Sequence, residues 1–251
     1  MGNPMVTLSP EDIARFKREG YLIKREVLDP GLMARATDRM WEAAPAGIDR
    51  NAPETWVGAF PEQRGAWKFR EPAEEDWMVR LLLADPSVLH MAEQLLGAGN
   101  LAQTEHIRGI YATFPEGDIP ETPTHGHVDR HPFHLGVVGY LDHVGSKGGG
   151  FTVWPGSHLT FYYDFRSHVK FEPTECHEQN VSVFRKRPGV ECCGGPGDIV
   201  FWHHRIMHTA GHNRSNRVRL AVLGDFKRKD LDETMEEPPD QNMWKYWDGV
   251  K

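Results

Sequence analysis

The sequence predicts a mainly β protein with helices packed on it, its strands forming a sandwich or barrel behind a helical N-terminal third. Three observations carry this expectation. Residues 8–98 read as capped amphipathic helices, with a few strand-like runs between them. After Gly99 the pattern changes to short apolar runs separated by Gly, Pro and Asn, recurring to Phe226. A length of 251 residues fits one domain, 1–251, with a substantial core: a helical part (8–98), a β core (99–228) and a tail (229–251).

Ser9, followed by Pro10, Glu11 and Asp12, supplies an N-cap, a first-turn proline and an acidic first turn, and Gly20 stands where a glycine stops a helix. A strand follows at Tyr21-Leu22-Ile23. Asp29-Pro30 repeats the start signal, and Met33, Ala36, Met40, Trp41 and Ala44 recur at helical spacing until Pro45. Residues 47–64 carry the breakers Asn51, Pro53, Gly58 and Pro61 and read as a loop. Residues 65–70 alternate like a strand, Trp77, Met78, Leu81 and Leu82 indicate a helix, and Asp85-Pro86 caps another that ends at Gly97. Beyond Gly99 the expected strands are 106–113, 124–134, 135–141, 151–154, 181–183, 198–202 and 218–223. The tail ends with Trp244, Tyr246 and Trp247, aromatics that must pack on this domain or on a partner chain. The oligomeric state stays open.

A formal charge of −7 gives no support to a nucleic-acid-binding surface, and a mean hydropathy of −0.56 is ordinary for a soluble protein. The leading residues, 1–6, lack a charged segment followed by an apolar run, and Val6 stands where a myristoylation pattern wants Ser or Thr. No apolar run approaches membrane-spanning length. The three cysteines, Cys176, Cys192 and Cys193, make poor material for a disulfide framework, so a reducing cytoplasm is the expected compartment.

Residues 124–134 read T-H-G-H-V-D-R-H-P-F-H. In an extended strand, His125, His127, Asp129 and His131 would share one face. Imidazoles and a carboxylate are costly to bury unpaired, and a divalent metal between them removes that cost. Two His and one carboxylate on one side of an octahedron is the arrangement of non-haem Fe(II) oxygenases. His127-Val128-Asp129 offers two such ligands, with a third needed from elsewhere. Downstream, Gly195-Pro196-Gly197-Asp198 turns into an apolar strand, after which come His203, His204 and His208. In the strand beyond, Arg217, Arg219 and Ala221 alternate with Val218, Leu220 and Val222. An Arg on an inner strand wants a carboxylate to grip with two parallel hydrogen bonds, and a ligand could supply it.

The ordered set His127-x-Asp129, Gly149-Gly150-Phe151-Thr152-Val153-Trp154-Pro155-Gly156-Ser157-His158, and Gly197-Asp198 with His208 and Arg219 resembles the phytanoyl-CoA dioxygenase family of Fe(II)/2-oxoglutarate oxygenases. Leu8 through Leu22 is similar to that family's N-terminus, so the likeness covers residues 8–228. The resemblance implies a double-stranded β-helix, that is, a cupin-like jelly roll. Iron would be held by His127, Asp129 and His208, with His203 or His204 as competitors for the last place. Arg219 would bind the distal carboxylate of 2-oxoglutarate, with Lys68 also reaching the co-substrate. Family members commonly carry Ser or Thr where Ala210 stands, and Thr209 is a candidate substitute. The carboxylate ligand favours hydroxylation of an unactivated C–H bond of a small molecule by O2, with decarboxylation of 2-oxoglutarate to succinate, over halogenation. Lys68, Arg70, Arg108 and Arg130 could line a mouth accepting an anionic substrate. Two other classes compete: a non-catalytic metal- or ligand-binding module, supported by Ala210, and a zinc hydrolase, which has no use for Arg219.

Overall fold

Local capping signals are met one by one in the structure, a computed structural model that describes residues 5–120 and 124–251. Residues 1–4, part of the stretch read for a targeting signal, and residues 121–123 lie outside the described residues. In α1 (Pro10–Glu19), Ser9 Oγ accepts from the Asp12 amide at 3.1 Å and Asp12 Oδ2 accepts from the Ser9 amide at 2.9 Å. Gly20 ends the helix at φ 80°, where an added Cβ would collide with the His158 ring. β1 (Tyr21–Lys24) follows, then α2 (Pro30–Glu42), capped by Asp29. β2 (Ala66–Phe69), α3 (Asp76–Leu81) and α4 (Pro86–Leu96) complete the N-terminal third.

The rest of the chain contributes β3 (Gly109–Thr113), β4 (Leu135–Tyr140), β5 (Phe151–Val153), α5 (Ser157–Phe161), α6 (His177–Arg185), β6 (Val190–Cys192), β7 (Ile199–His203), β8 (His208–Ala210), β9 (Arg219–Phe226) and α7 (Leu231–Thr234). The strands form two antiparallel sheets: six strands in the order β1-β7-β4-β9-β3-β2, and three in the order β6-β5-β8. This two-sheet β core, with the helices packed outside it, is the expected jelly-roll class.

Period-two alternation explains how the larger sheet is buried on both faces. Val137, Phe201 and Val222 join the helices in one apolar cluster, while their neighbours Val138, Trp202 and Ala221 join Phe151 and Val153 between the sheets. Arg219 shares the face of Ala221 and therefore enters the space between the sheets.

Two expected strands are corrected. Residues 181–183 lie inside α6, where His177, Val181 and Phe184 are buried at helical spacing; three residues of Val-Ser-Val are too short a run to outweigh that period. Residues 124–134 do not form a strand: His127 alone makes a bridge, to His208. Pro132 has no amide to donate, and Gly126 sits where a Cβ would strike the Trp154 ring, so the segment runs irregularly across the sheet mouth.

The aromatic tail packs on its own chain. Trp247 is 1% exposed, lies 5.4 Å from the Phe16 ring and stacks on His203 at 4.8 Å. Beneath it five imidazoles are buried. Burial pushes His134 down to about 3, His158 and His168 to about 4, and His203 and His204 well below the ordinary value.

Truncating the Trp247 ring should cost about 3–5 kcal/mol, read as a lower urea midpoint for Trp247→Ala; an unchanged midpoint would remove the tail from the core. The histidines set a second expectation. Below about pH 6.5 the unfolded chain protonates these rings while the folded one does not, so protons favour the unfolded state. Stability should fall as pH drops from about 6.5 toward 4 and lose that slope below the folded values. A urea midpoint flat across this window would show that the rings are solvated.

Candidate metal centre

A short backbone ladder assembles the site. His127 N–H donates to His208 O and His208 N–H to His127 O, both at 2.9 Å, which sets the two imidazoles side by side with ring centroids 4.7 Å apart. β8 is held in turn by β5, with Val153 opposite His208. Asp129 completes the group: its Oδ1 lies 3.6 Å from His127 Nε2 and its Oδ2 3.6 Å from His208 Nε2. One donor atom from each of the three residues falls within 4.8 Å of the others, and among the described residues no other three His, Cys, Asp or Glu converge in this way.

The chemistry of the donors fits a divalent metal. His208 donates its Nδ1–H to the Ile206 carbonyl at 3.0 Å, which leaves the Nε2 lone pair facing Asp129 and His127. Burial against Phe151 and Trp202 pushes His208 down to about 4 despite the nearby carboxylate, so the ring is neutral at pH 7 and free to ligate. Burial alone would raise Asp129; the facing imidazoles and the Arg108 guanidinium outweigh it and hold the carboxyl well below the usual range.

Arg108 is placed differently from the sequence expectation of a substrate cation. Its Nη2 donates to Asp129 Oδ2 at 2.8 Å and to Asp225 Oδ1 at 2.6 Å, and its Nε donates to Asp225 Oδ2 at 2.8 Å. His131 Nε2 lies 2.9 Å from the same Asp225 oxygen. Arg130 is also corrected: it is exposed, with its guanidinium 5.1 Å from the Phe171 ring, and does not line the cavity. Of the competing ligands, His203 faces the tail aromatics Trp244 and Trp247, and His204 stacks on His203 with ring centroids 4.4 Å apart.

Arg219 is buried at the floor of the same cavity. Its Nε donates to Gly149 O at 2.9 Å and its Nη1 to Tyr111 O at 3.1 Å, yet no carboxylate among the described residues pairs with it. Burial lowers its pKa, the mark of a desolvated cation lacking its counter-charge. The cavity, about 760 Å³, also takes in Lys68, Thr209 and Ala210. Lys68 sits on β2 opposite Tyr111, with Nζ 5.3 Å from that ring.

Asp225 and His131 are the site residues sequence reasoning missed or assigned to the background. A signal existed for Asp225: β9 runs to Phe226, and alternation from Arg219 through Ala221 and Leu223 puts Asp225 on the inner face. The expected strand stopped at Leu223.

Residues 16–221 match the family Phytanoyl-CoA dioxygenase (PhyH). The mouse (Mus musculus) protein named Phytanoyl-CoA dioxygenase, peroxisomal, is 25% identical over 234 residues, covering 89% of this chain and 63% of that protein. The chain thus spans less than two thirds of this relative's length. Among solved structures, the non-heme alpha ketoglutarate dependent carbocyclase SnoK from nogalamycin biosynthesis has a TM-score of 0.59 at 18% identity, covering 96% of this chain and 98% of that one. The apoform of EctD from S. alaskensis has a TM-score of 0.56 at 19% identity, covering 88% and 77%. At such identities the likeness is one of fold.

Losing a ligand should cost more than the roughly 10–100-fold in metal affinity that losing an outer partner costs. Calorimetric titration of the apo protein with Mn(II) is expected to show that loss in His208→Ala and Asp129→Ala, and retained affinity in His203→Ala. Equal affinity in all four proteins would move the metal elsewhere.

Proposed function

Because this chain belongs to the phytanoyl-CoA dioxygenase family, we propose that it is an Fe(II)- and 2-oxoglutarate-dependent dioxygenase that hydroxylates a small molecule at an unactivated C–H bond, yielding succinate from 2-oxoglutarate. One observation carries the reading: two imidazoles and a carboxylate converge in the same cavity as a buried arginine that pairs with no carboxylate among the described residues. His127, Asp129 and His208 would hold the iron. Bound there, iron and 2-oxoglutarate supply the oxidising power: dioxygen is consumed, one oxygen atom ending in succinate and the other in the product, with release of carbon dioxide.

The remaining work falls to the chain. Arg219 takes the distal carboxylate of 2-oxoglutarate, and because Gly149 and Tyr111 fix two of its nitrogens, the guanidinium is oriented before the ligand arrives. Lys68 would add a hydrogen bond to the co-substrate from the same cavity, which Thr209, the neighbour of Ala210 on β8, also borders as the second candidate donor. Phe151 and Trp202 form an apolar wall behind His208 that limits water at the reacting centre.

The lining of the outer cavity supports one substrate class. Lys68, Arg70 and Lys227 line it, and none pairs with a carboxylate among the described residues, whereas Arg108 is committed to Asp129 and Asp225. Glu74 and Glu105 line the cavity too, so the support for an anionic small molecule is the cationic side of a mixed surface. We take the whole chain as one oxygenase unit, since N-terminal helices, β core and tail contribute to a single apolar cluster.

The test is anaerobic addition of Fe(II) and then 2-oxoglutarate to the apo protein, watching for the weak visible charge-transfer absorption of a chelated keto acid. The band is expected in the native protein and should need roughly 10-fold or more 2-oxoglutarate in Arg219→Ala, the scale of losing a charged hydrogen-bonding partner. Iron binding without the band would favour the non-catalytic module that Ala210 suggests. Oxygen-dependent succinate release with a product heavier by one oxygen atom would separate hydroxylation from other oxidations.

A further inference from the structure

The Asp129 carboxylate has two oxygens with unequal surroundings. Each oxygen lies 3.6 Å from a ligand imidazole, Oδ1 from His127 Nε2 and Oδ2 from His208 Nε2, but only Oδ2 also accepts a hydrogen bond from Arg108 Nη2, at 2.8 Å. Arg108 is itself held on three sides. Its backbone N–H donates to Leu223 O at 2.7 Å, Asp225 takes its Nε and Nη2, and the Phe133 and Trp202 rings lie 5.2 and 5.6 Å from its Cζ.

We propose that Arg108, braced by Asp225, is a positioning residue that claims Oδ2 of Asp129 and so presents this carboxylate to the metal through Oδ1 alone. The inference rests on the metal reading above and states what that reading needs. In a six-coordinate site, two imidazoles and a carboxylate bound through both oxygens occupy four positions. A keto acid chelating through two oxygens then fills the site, and nothing remains for dioxygen. A carboxylate bound through one oxygen leaves the extra position. A guanidinium suits this task because one planar fork spans both carboxylates; a lysine would supply the charge but could not bridge Asp225 and Asp129 in one plane.

Bound Mn(II) provides the test, since line broadening of its paramagnetic resonance in 17O-enriched water counts exchangeable water ligands without any turnover. The native protein should hold about three waters and Arg108→Met about two, the second carboxylate oxygen having taken one place. Should Arg108→Met unfold because Asp225 is left uncompensated, the double variant Arg108→Met/Asp225→Leu replaces the whole pair by apolar groups of similar size, and the same loss of one water is expected. An unchanged water count in whichever variant folds overturns the proposal and leaves Arg108 as an ion pair of the fold. Failure of the native protein to bind Mn(II) at all would overturn the metal reading, and this inference with it.

Discussion

His127 and His208 exchange two backbone hydrogen bonds of 2.9 Å each, and the geometry of the site depends on that bridge. Once two residues are paired across a ladder, their side chains on one face have little freedom of separation. The imidazoles are therefore adjacent before any metal arrives, and Asp129, two residues along, reaches both of them. The bridge in turn depends on β8 lying against β5 and on Phe151 and Trp202 filling the space behind His208. Ligand placement is thus a product of sheet register and core packing, not of the ligands' own attraction.

The charges divide into two groups. Asp129, Asp225 and Arg108 form a hydrogen-bonded set with two acidic groups and one basic one. That set is short of positive charge, which a divalent cation restores. Arg219, in the same cavity, is short of negative charge among the described residues, which the dicarboxylate of our proposal would restore. Each imbalance would be expensive to maintain in a closed core. Opening both onto one cavity lets the ligands complete the electrostatics of the protein, and makes metal and co-substrate parts of its stability.

Much of this was legible in the residues. Helix starts at Ser9, Asp29 and Asp85 are local chemistry, an acceptor side chain followed by proline, and the structure repeats them. His127, Asp129, His208 and Arg219 stood out because polar groups at those spacings need a partner, and the fold brings all four to one cavity. The reason offered for the first pair did not hold: residues 124–134 are not a strand, and His127 and Asp129 meet through an irregular segment pinned at one bridge. Arg108 looked like a free cation because its partner, Asp225, is distant in sequence, and pairing between distant residues leaves no trace in local pattern. Val181 is a different case: the helical period of His177, Val181 and Phe184 was present in the sequence, and the strand expectation followed the short Val-Ser-Val run in its place.

The packing of Trp244 and Trp247 against Phe16 and His203 carries a consequence for how the molecule is made. His203 ends the strand whose following turn delivers His208, so the support beneath that turn is supplied by residues the ribosome adds well after the ligands themselves. A nascent chain that has emerged only as far as β9 has its three ligands and its arginine, but the imidazoles behind them are still hydrated and able to take up protons. The order of synthesis thus leaves the packing behind His203 until last.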